Sequence, residues 1–416
     1  MLIRRLKTLL SSKDGKVLFS NFSYLFLLQI AGYVFPLLTL PYLARVIGVD
    51  NFGRIAFASA IMVWIQTVAD WGFNYTATRD VAKNRGNKEK VSEIFSNVLW
   101  ARCTLVLLSF IVLLILLCIV PQFRDNSEVI LVTFLMIPGH VLFPDWFFQA
   151  IERMKYITIL NILSKLFFTI AVFLFIKDED DYILQPLFIS LGYVISGFIA
   201  LYYILIKWRI KLVYSSAKYV FSTIKKSTDV FINNLMPNLY NSFTAVLLGL
   251  FGTPAQNGIY DAGKKFVSIS ANLLYVISRT TFPYLVRKFD KHYLYARISL
   301  ILAFFASAIL FIFAPLIIHI FFGEDFCDSV VVLRITSVAL FFIMMSSVYG
   351  TNFLIIRGFD KKLRNVTIVA SIIGFIISFP LVYNFSFIGA SLTFLFSSML
   401  LGGGSFLASR NVRNGL

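Results

Sequence analysis

Asp261, Lys265, Ser268, Asn272, Tyr275 and Arg279 recur at intervals of 4, 3, 4, 3 and 4 residues. On an α-helix that spacing puts all six on one stripe. The residues between them are mostly apolar or small, among them Phe266, Val267, Leu273, Leu274 and Val276. A helix surrounded by lipid does not carry such a stripe outward, so the pattern predicts a face turned toward water or a polar cargo. The chemistry it suits is binding. Lys265 and Arg279 attract an anion, while Asn272 and Tyr275 offer hydrogen bonds to a polar ligand. A counterpart lies 205 residues earlier, where Thr67 answers Asn272, Asp70 answers Tyr275 and Asn74 answers Arg279. Asp70 is then the counter-ion of Arg279 or the carrier of a coupling proton.

Further ionisable residues interrupt apolar runs: Arg102, Lys165, Lys264 and Arg334, with Asp145 and Asp229. A charge inside hydrocarbon is expensive, so each is a functional candidate. Arg102, Asp229 and Lys264 fall near predicted helix ends, where they are expected to reach the interface. Lys165 and Arg334 lie deeper and, with Arg45, join the candidate cargo path, where the alternative is a purely structural pairing. His140 stands between Pro138-Gly139 and Pro144-Asp145. Such a segment can unwind at a midplane site. His140, Asp145 and Asp70 are therefore candidates for proton coupling. The competing reading is a packing kink near an interface, anchored by Trp146 and Phe147.

No pattern resembles an activated nucleophile or a phosphate-cradling glycine loop. His140, His292 and His319 have no ligand spacing, and Cys103, Cys118 and Cys327 are far apart and read as small core residues. Neither a metal nor an organic cofactor is expected, and no ATP hydrolysis. Gly402-Gly403-Gly404 reads as a site of close helix packing. The aromatic residues, 17% of the chain, read mostly as lipid-facing surface and not as a stacking platform for a ligand, with Tyr75 and Tyr260 as the exceptions that could stack.

The elements that position these residues follow from composition. The 416 residues are 58% hydrophobic and only 14% charged, with mean hydropathy +0.81. Soluble domains carry about 25% charged residues, and a crossing helix needs about 20 apolar ones. Twelve spans are predicted, at 18–40, 53–76, 98–120, 129–150, 157–176, 184–206, 230–251, 261–285, 298–321, 329–356, 365–383 and 387–408. The basic segment Met1 to Lys16 shows no cleavable leader pattern. Alternate loops hold 28 of the 38 basic residues, whereas the intervening loops hold only Arg45, Arg54, Arg124 and Lys177 and are acidic around Asp178-Glu179-Asp180-Asp181. Basic loops stay cytoplasmic. The asymmetry predicts both termini in the cytoplasm of a bacterial inner membrane protein. It also explains the net charge of +17 without nucleic acid, leaving anionic lipid as the surface partner.

The longest basic loop, Lys207 to Asp229, falls at the midpoint, predicting domains at 1–212 and 213–416. Gly48 to Gly53 with Ile55 precedes one amphipathic span, and Gly252 to Gly258 with Ile259 precedes another, 205 residues on. The pair suggests a parallel repeat. Several segments carry a wider resemblance: Pro36-Leu37-Leu38-Thr39, Pro41-Tyr42-Leu43-Ala44-Arg45, Asn51-Phe52-Gly53, Gly72-Phe73-Asn74, Trp146-Phe147-Phe148-Gln149, Asn257-Gly258-Ile259-Tyr260, Phe282-Pro283-Tyr284, Val348-Tyr349-Gly350 and Ile388-Gly389-Ala390. As an ordered set along nearly the whole chain, they resemble the O-antigen flippases of the polysaccharide-exporter branch of the multidrug and toxin extruder superfamily. Phe282 departs from the tyrosine that family often has before the proline.

The resemblance implies an all-α polytopic membrane protein of about twelve helices in two six-helix bundles around a central cavity. It implies a carrier, not an enzyme. The cargo would be an undecaprenyl-diphosphate-linked oligosaccharide, moved from the cytoplasmic to the periplasmic leaflet by alternating access, with proton or sodium coupling and contacts to other O-antigen assembly proteins. The alternatives are a drug or cation extruder of the same superfamily and a membrane-embedded O-antigen polymerase. A polymerase is expected to carry catalytic residues on a sizeable periplasmic loop, and the acidic loops here are short.

Overall fold

A computed structural model describes residues 13–414. Arg4, Arg5 and Lys7 of the basic amino terminus lie outside them. The described residues are helical, with no strand among them. We label α1 (Lys13–Asp70), α2 (Phe73–Lys83), α3 (Lys88–Ile119), the broken helix α4 (Ser127–Ala150), α5 (Met154–Phe175), α6 (Leu184–Tyr202), α7 (Ala217–Leu235), α8 (Phe243–Phe251), α9 (Pro254–Arg287), α10 (His292–Ile312), α11 (Ser329–Ser346) and α12 (Asp360–Asn414). Among the described residues, eight helical bodies are long and apolar enough to cross a membrane. Two of these are pairs of helices in succession, because α1 breaks at Gly48 (φ 73°) and α12 breaks at Ser386 (φ 49°). The protein is a multi-pass membrane protein.

The outer surface of the helices inverts that of a soluble protein. On α3, Leu107, Leu108, Ile111, Val112, Ile115 and Ile119 are exposed, where lipid would cover them. Small polar residues share the interior with the apolar core, and along α12 Ser371, Ser378, Ser391, Ser397 and Ser405 are fully buried. Small residues let helix backbones approach when lipid gives no hydrophobic drive to associate. Gly402 follows the same rule, since a Cβ there would lie 2.5 Å from the Phe342 carbonyl oxygen. The inversion also corrects the reading of the cysteines: Cys103, Cys118 and Cys327 are exposed rather than core.

The chain forms two compact units: unit 1 holds residues up to Tyr42 with Met62–Ile232, and unit 2 holds Leu43–Ile61 with Asn233–Leu416. Residues 213–232, beyond the midpoint expected from sequence, group with unit 1. The cause is a polar clip on α3. Ser92 and Ser96, one turn apart, accept the backbone N–H groups of Lys211 (3.1 Å) and Val213 (2.9 Å) through their hydroxyls. Trp100 Nε1 donates to the Val213 carbonyl at 3.3 Å, and Ser215 Oγ donates to Asn97 Oδ1 at 2.6 Å. The following helix α7 then buries Val220 and Ser227.

In unit 2 the segments around Gly53 and Gly258 meet each other. A Cβ at Gly53 would collide with the Pro254 carbonyl and lie 2.9 Å from the Gly258 nitrogen, and one at Gly258 would lie 2.5 Å from the Val49 carbonyl oxygen. The start of α9 is set by a capping box: Thr253 Oγ1 accepts from Gln256 N (3.3 Å) and Gln256 Oε1 accepts from Thr253 N (3.0 Å).

Candidate functional site

In unit 1 the second half of α1 ends at Asp70, where the chain turns through Trp71 (φ 38°) and Gly72 (φ 77°). A non-glycine residue in the left-handed region is strained by roughly 1–2 kcal/mol. Contacts to α7 hold it: the Trp71 ring stacks on Phe231 at 3.8 Å, and its Nε1 donates to the Ile224 carbonyl at 3.1 Å. This turn breaks the expected stripe. Thr67 and Asp70 share a helix, whereas Asn74 belongs to the separate α2.

Asp70 is engaged on both oxygens. Gln66 Nε2 donates to Oδ2 at 3.0 Å, and Arg102 Nη2 from α3 donates to Oδ1 in a charge-paired bond. The Arg102 side chain is 2% exposed, so the expectation that it reaches the interface is corrected: a guanidinium held by a carboxylate has no reason to leave the interior. Its Nε and Nη1 have no hydrogen-bond partner among the described residues. Asp70, expected opposite Arg279, has Arg102 as its counter-ion.

α4 completes the group. It breaks after Phe134 and again at Phe143–Pro144, which brings His140 and Asp145 to the same region. Both interact electrostatically with Asp70, with Arg102 and with each other. The His140 ring packs against Tyr193 of α6, centroids 4.8 Å apart, and Asp145 Oδ1 accepts the Trp146 backbone N–H at 2.7 Å. Trp146 and Phe147 are 1% exposed and belong to the core, not to an interface. The three residues proposed for proton coupling from sequence are thus gathered around Arg102.

In unit 2 the six-residue stripe lies on α9. Asp261 and Lys265 pair at 3.2 Å with half-buried side chains. Ser268, Asn272, Tyr275 and Arg279 are exposed, and Ser268 Oγ donates to the Lys264 carbonyl at 3.2 Å. Lys264, one residue off the stripe, is corrected from an interfacial lysine to an interior one. Its Nζ donates to the Asn241 carbonyl (3.1 Å) and side chain (2.5 Å) and sits 4.5 Å from the centre of the Phe394 ring. Tyr260 is 1% exposed, so it cannot stack on a sugar; Tyr75 is exposed.

The remaining candidates are dispersed. Arg45 Nη2 donates to the Ile320 carbonyl at 2.8 Å, and Arg334 lies 5.6 Å from the Phe311 ring centre. Thr67 Oγ1 donates to the Val63 carbonyl at 2.7 Å. Lys165 lines a cavity of its own in unit 1.

Sequence reasoning missed a buried polar knot in unit 2. Ser278 Oγ accepts from Ser347 Oγ (2.6 Å) and from Asn352 Nδ2 (2.8 Å), and Asn352 Nδ2 also reaches the Tyr295 hydroxyl (2.5 Å). The knot spans a stretch of π-helix, Ser347–Ile355, that continues α11. Such widened turns often mark functional positions. The available signal was the Val348-Tyr349-Gly350 motif, which sits inside that turn.

Residues 18–289 match the family described as "Polysaccharide biosynthesis protein". The chain belongs to that family. It is 29% identical to a protein of Escherichia coli (strain K12) over 389 residues, covering 92% of this chain and 94% of the relative. A Shigella dysenteriae relative is 25% identical, covering 92% and 97%. Both are named "Putative O-antigen transporter", in keeping with the flippase resemblance read from the motifs. Among solved structures, an inward closed lipid II flippase MurJ is similar with TM-score 0.73 and 13% identity over 95% of this chain and 87% of that one. A MATE transporter in complex with MaL6 gives TM-score 0.60 and 14% identity over 99% and 98%. These two establish the fold.

Proposed function

We propose that the protein is a flippase for lipid-linked oligosaccharide in the inner membrane. It moves an undecaprenyl-diphosphate-linked O-antigen unit from the cytoplasmic to the periplasmic leaflet by alternating access. It is a transporter and not an enzyme. The observation that carries this is family membership together with the polar stripe on α9, which presents Lys265 and Arg279. Each unpaired sugar hydroxyl taken into hydrocarbon costs several kcal/mol, and a diphosphate far more. A surface presenting Asn272, Tyr275, Lys265 and Arg279 replaces the water those groups lose, while the polyprenyl tail stays in lipid.

The reading extends to topology and coupling. Dividing α1 at Gly48 and α12 at Ser386, and counting the segments 217–251 and 254–287, supports twelve crossings and hence termini on one side, which the basic loops assign to the cytoplasm. The Asp70–Arg102–His140–Asp145 group is suited to proton coupling, since a proton taken up there changes the charge of the interior and biases a two-state carrier. The test is a leaflet-resolved assay of lipid-linked glycan in a deletion strain. Glycan units should accumulate in the cytoplasmic leaflet and be restored to the periplasmic one by the intact gene. Unchanged leaflet distribution would reject the proposal.

A further inference from the structure

We propose that the cavity around Lys165 in unit 1 is a binding site for a phosphate group carried on an apolar chain. The cavity measures about 170 Å³ and lies between α1, α5 and α6. Its polar lining is Lys165, Asn161, Ser164 and Tyr193, its walls include Phe35 and Phe168, and none of its lining residues is acidic. Lys165 makes no hydrogen bond, ion pair or ring contact among the described residues, in contrast to Arg45, Arg102, Lys264 and Lys265, each of which has a partner.

Depth excludes the simplest alternative. Lys165 is the twelfth residue of the 22 in α5, so in a spanning helix it sits near the bilayer midplane. Each interface is then about 15 Å away, beyond the reach of a lysine stem. An intramembrane ammonium that cannot reach water needs an anion or strong acceptors nearby. Asn161 directs its amide nitrogen to the Ile157 carbonyl at 2.9 Å, which leaves its side-chain oxygen as one acceptor. A phosphate supplies the missing charge and accepts from the ammonium and from the Ser164 and Tyr193 hydroxyls.

Size and surroundings define the rest of the ligand. The cavity is smaller than the roughly 300 Å³ of an ordinary small-molecule pocket, so it admits a head group and excludes an oligosaccharide. Leu163, Leu166, Phe167 and Ile170 beside it on α5 are exposed apolar residues, along which a hydrocarbon chain can lie. A polyprenyl phosphate and an anionic phospholipid share this chemistry, whereas phosphatidylcholine, whose phosphate is already balanced by its own choline cation, does not supply the missing charge. The polyprenyl source rests on the proposed function, whose cargo carries the same kind of group, and the phospholipid source does not; because binding and not transport is read, the site and the proposed function can fail separately.

The experiment is native mass spectrometry of the full chain from phosphatidylcholine nanodiscs, with undecaprenyl phosphate, phosphatidylglycerol or inorganic pyrophosphate added. Wild type should retain a phosphate lipid and ignore pyrophosphate, which has no chain. Lys165→Met should bind about tenfold more weakly or worse, as expected for loss of a charge-assisted bond, and Lys165→Arg should bind nearly normally. Preference for undecaprenyl phosphate identifies the polyprenyl source, and equal retention of phosphatidylglycerol identifies the general phospholipid source; both support the site. If Lys165→Met fails to fold, a photocrosslinker replacing Phe168 in the otherwise native chain gives a second reading. Equal binding by wild type and Lys165→Met, or crosslinks to phosphatidylcholine alone, would overturn the proposal.

Discussion

Removing the Arg102 side chain tests the ion pair of unit 1. In Arg102→Met the Asp70 carboxylate keeps only the Gln66 amide at 3.0 Å, with a side chain 22% exposed. Breaking a buried pair from one side costs roughly 3–5 kcal/mol. Partial access of Asp70 to solvent favours the lower end, about 3 kcal/mol. The companion Asp70→Asn leaves a guanidinium almost wholly buried and without its carboxylate, so it should cost at least as much. The double variant Arg102→Met/Asp70→Leu removes both charges and the need to pair them. It should recover most of the lost stability, giving a coupling of about 2 kcal/mol or more in the double-mutant cycle. Denaturant unfolding in detergent, with thermal melting as a second probe, measures all four proteins. Transport should separate from stability: if the group couples protons, the double variant is stable yet does not drive uphill export. Additive single effects would refute the pairing argument. A double variant with full proton-driven export would refute the coupling role.

Four other outcomes follow from the geometry. Gly53→Ala or Gly258→Ala forces backbone apart where the two glycine motifs meet, and each should cost roughly 1–3 kcal/mol of stability, whereas Gly403→Ala, whose Cβ meets nothing within 4 Å, should be neutral in the same melts. Arg279→Ala and Lys265→Ala should abolish export at unchanged protein level, and Asn272→Cys and Tyr275→Cys should react with a water-soluble thiol reagent; normal export and unlabelled cysteines would make the stripe structural. The Arg85 guanidinium, bonded to Glu152 at 3.0 Å, holds that exposed carboxyl below its ordinary range, so the pair stabilises the folded state above the unfolded carboxyl's pKa near 4.3 and the contribution is lost as pH falls through the lower folded value. Being exposed, it should amount to a few tenths of a kcal/mol and vanish in Arg85→Ala. A periplasm-active reporter fused near Asp180 should be active and one near Lys218 inactive, and the reverse would invert the topology.

Much of the architecture was readable because lipid enforces long apolar helices, and every predicted span from 98–120 onward overlaps a helix in the structure. The α9 stripe was equally readable, since helical periodicity alone places Asp261 through Arg279 on one face. The turn at Trp71 was not, because a tryptophan in the left-handed region is held by Phe231 and Ile224 from α7, more than 150 residues away in the chain. Arg102 and Lys264 were misread for a related reason. A charge near a helix end looks interfacial until its partners are known, and those partners, Asp70 and Asn241, lie on other helices. The cysteines were misplaced because the soluble-protein rule that sends a small thiol inward reverses where the apolar face looks out. Trp146 illustrates the converse: an aromatic beside a proline read as an anchor, yet it fills the core of unit 1 against Phe95.

The most direct measurement of the central claim is translocation by the purified protein in proteoliposomes of defined orientation. A lipid-linked oligosaccharide is placed in one leaflet, and its arrival in the other is followed with a membrane-impermeant glycan-modifying enzyme. The account predicts protein-dependent transfer of intact glycolipid, accelerated by a proton gradient and lost in Arg279→Ala. No transfer above empty liposomes, or release of free undecaprenyl diphosphate by the protein alone, would contradict it.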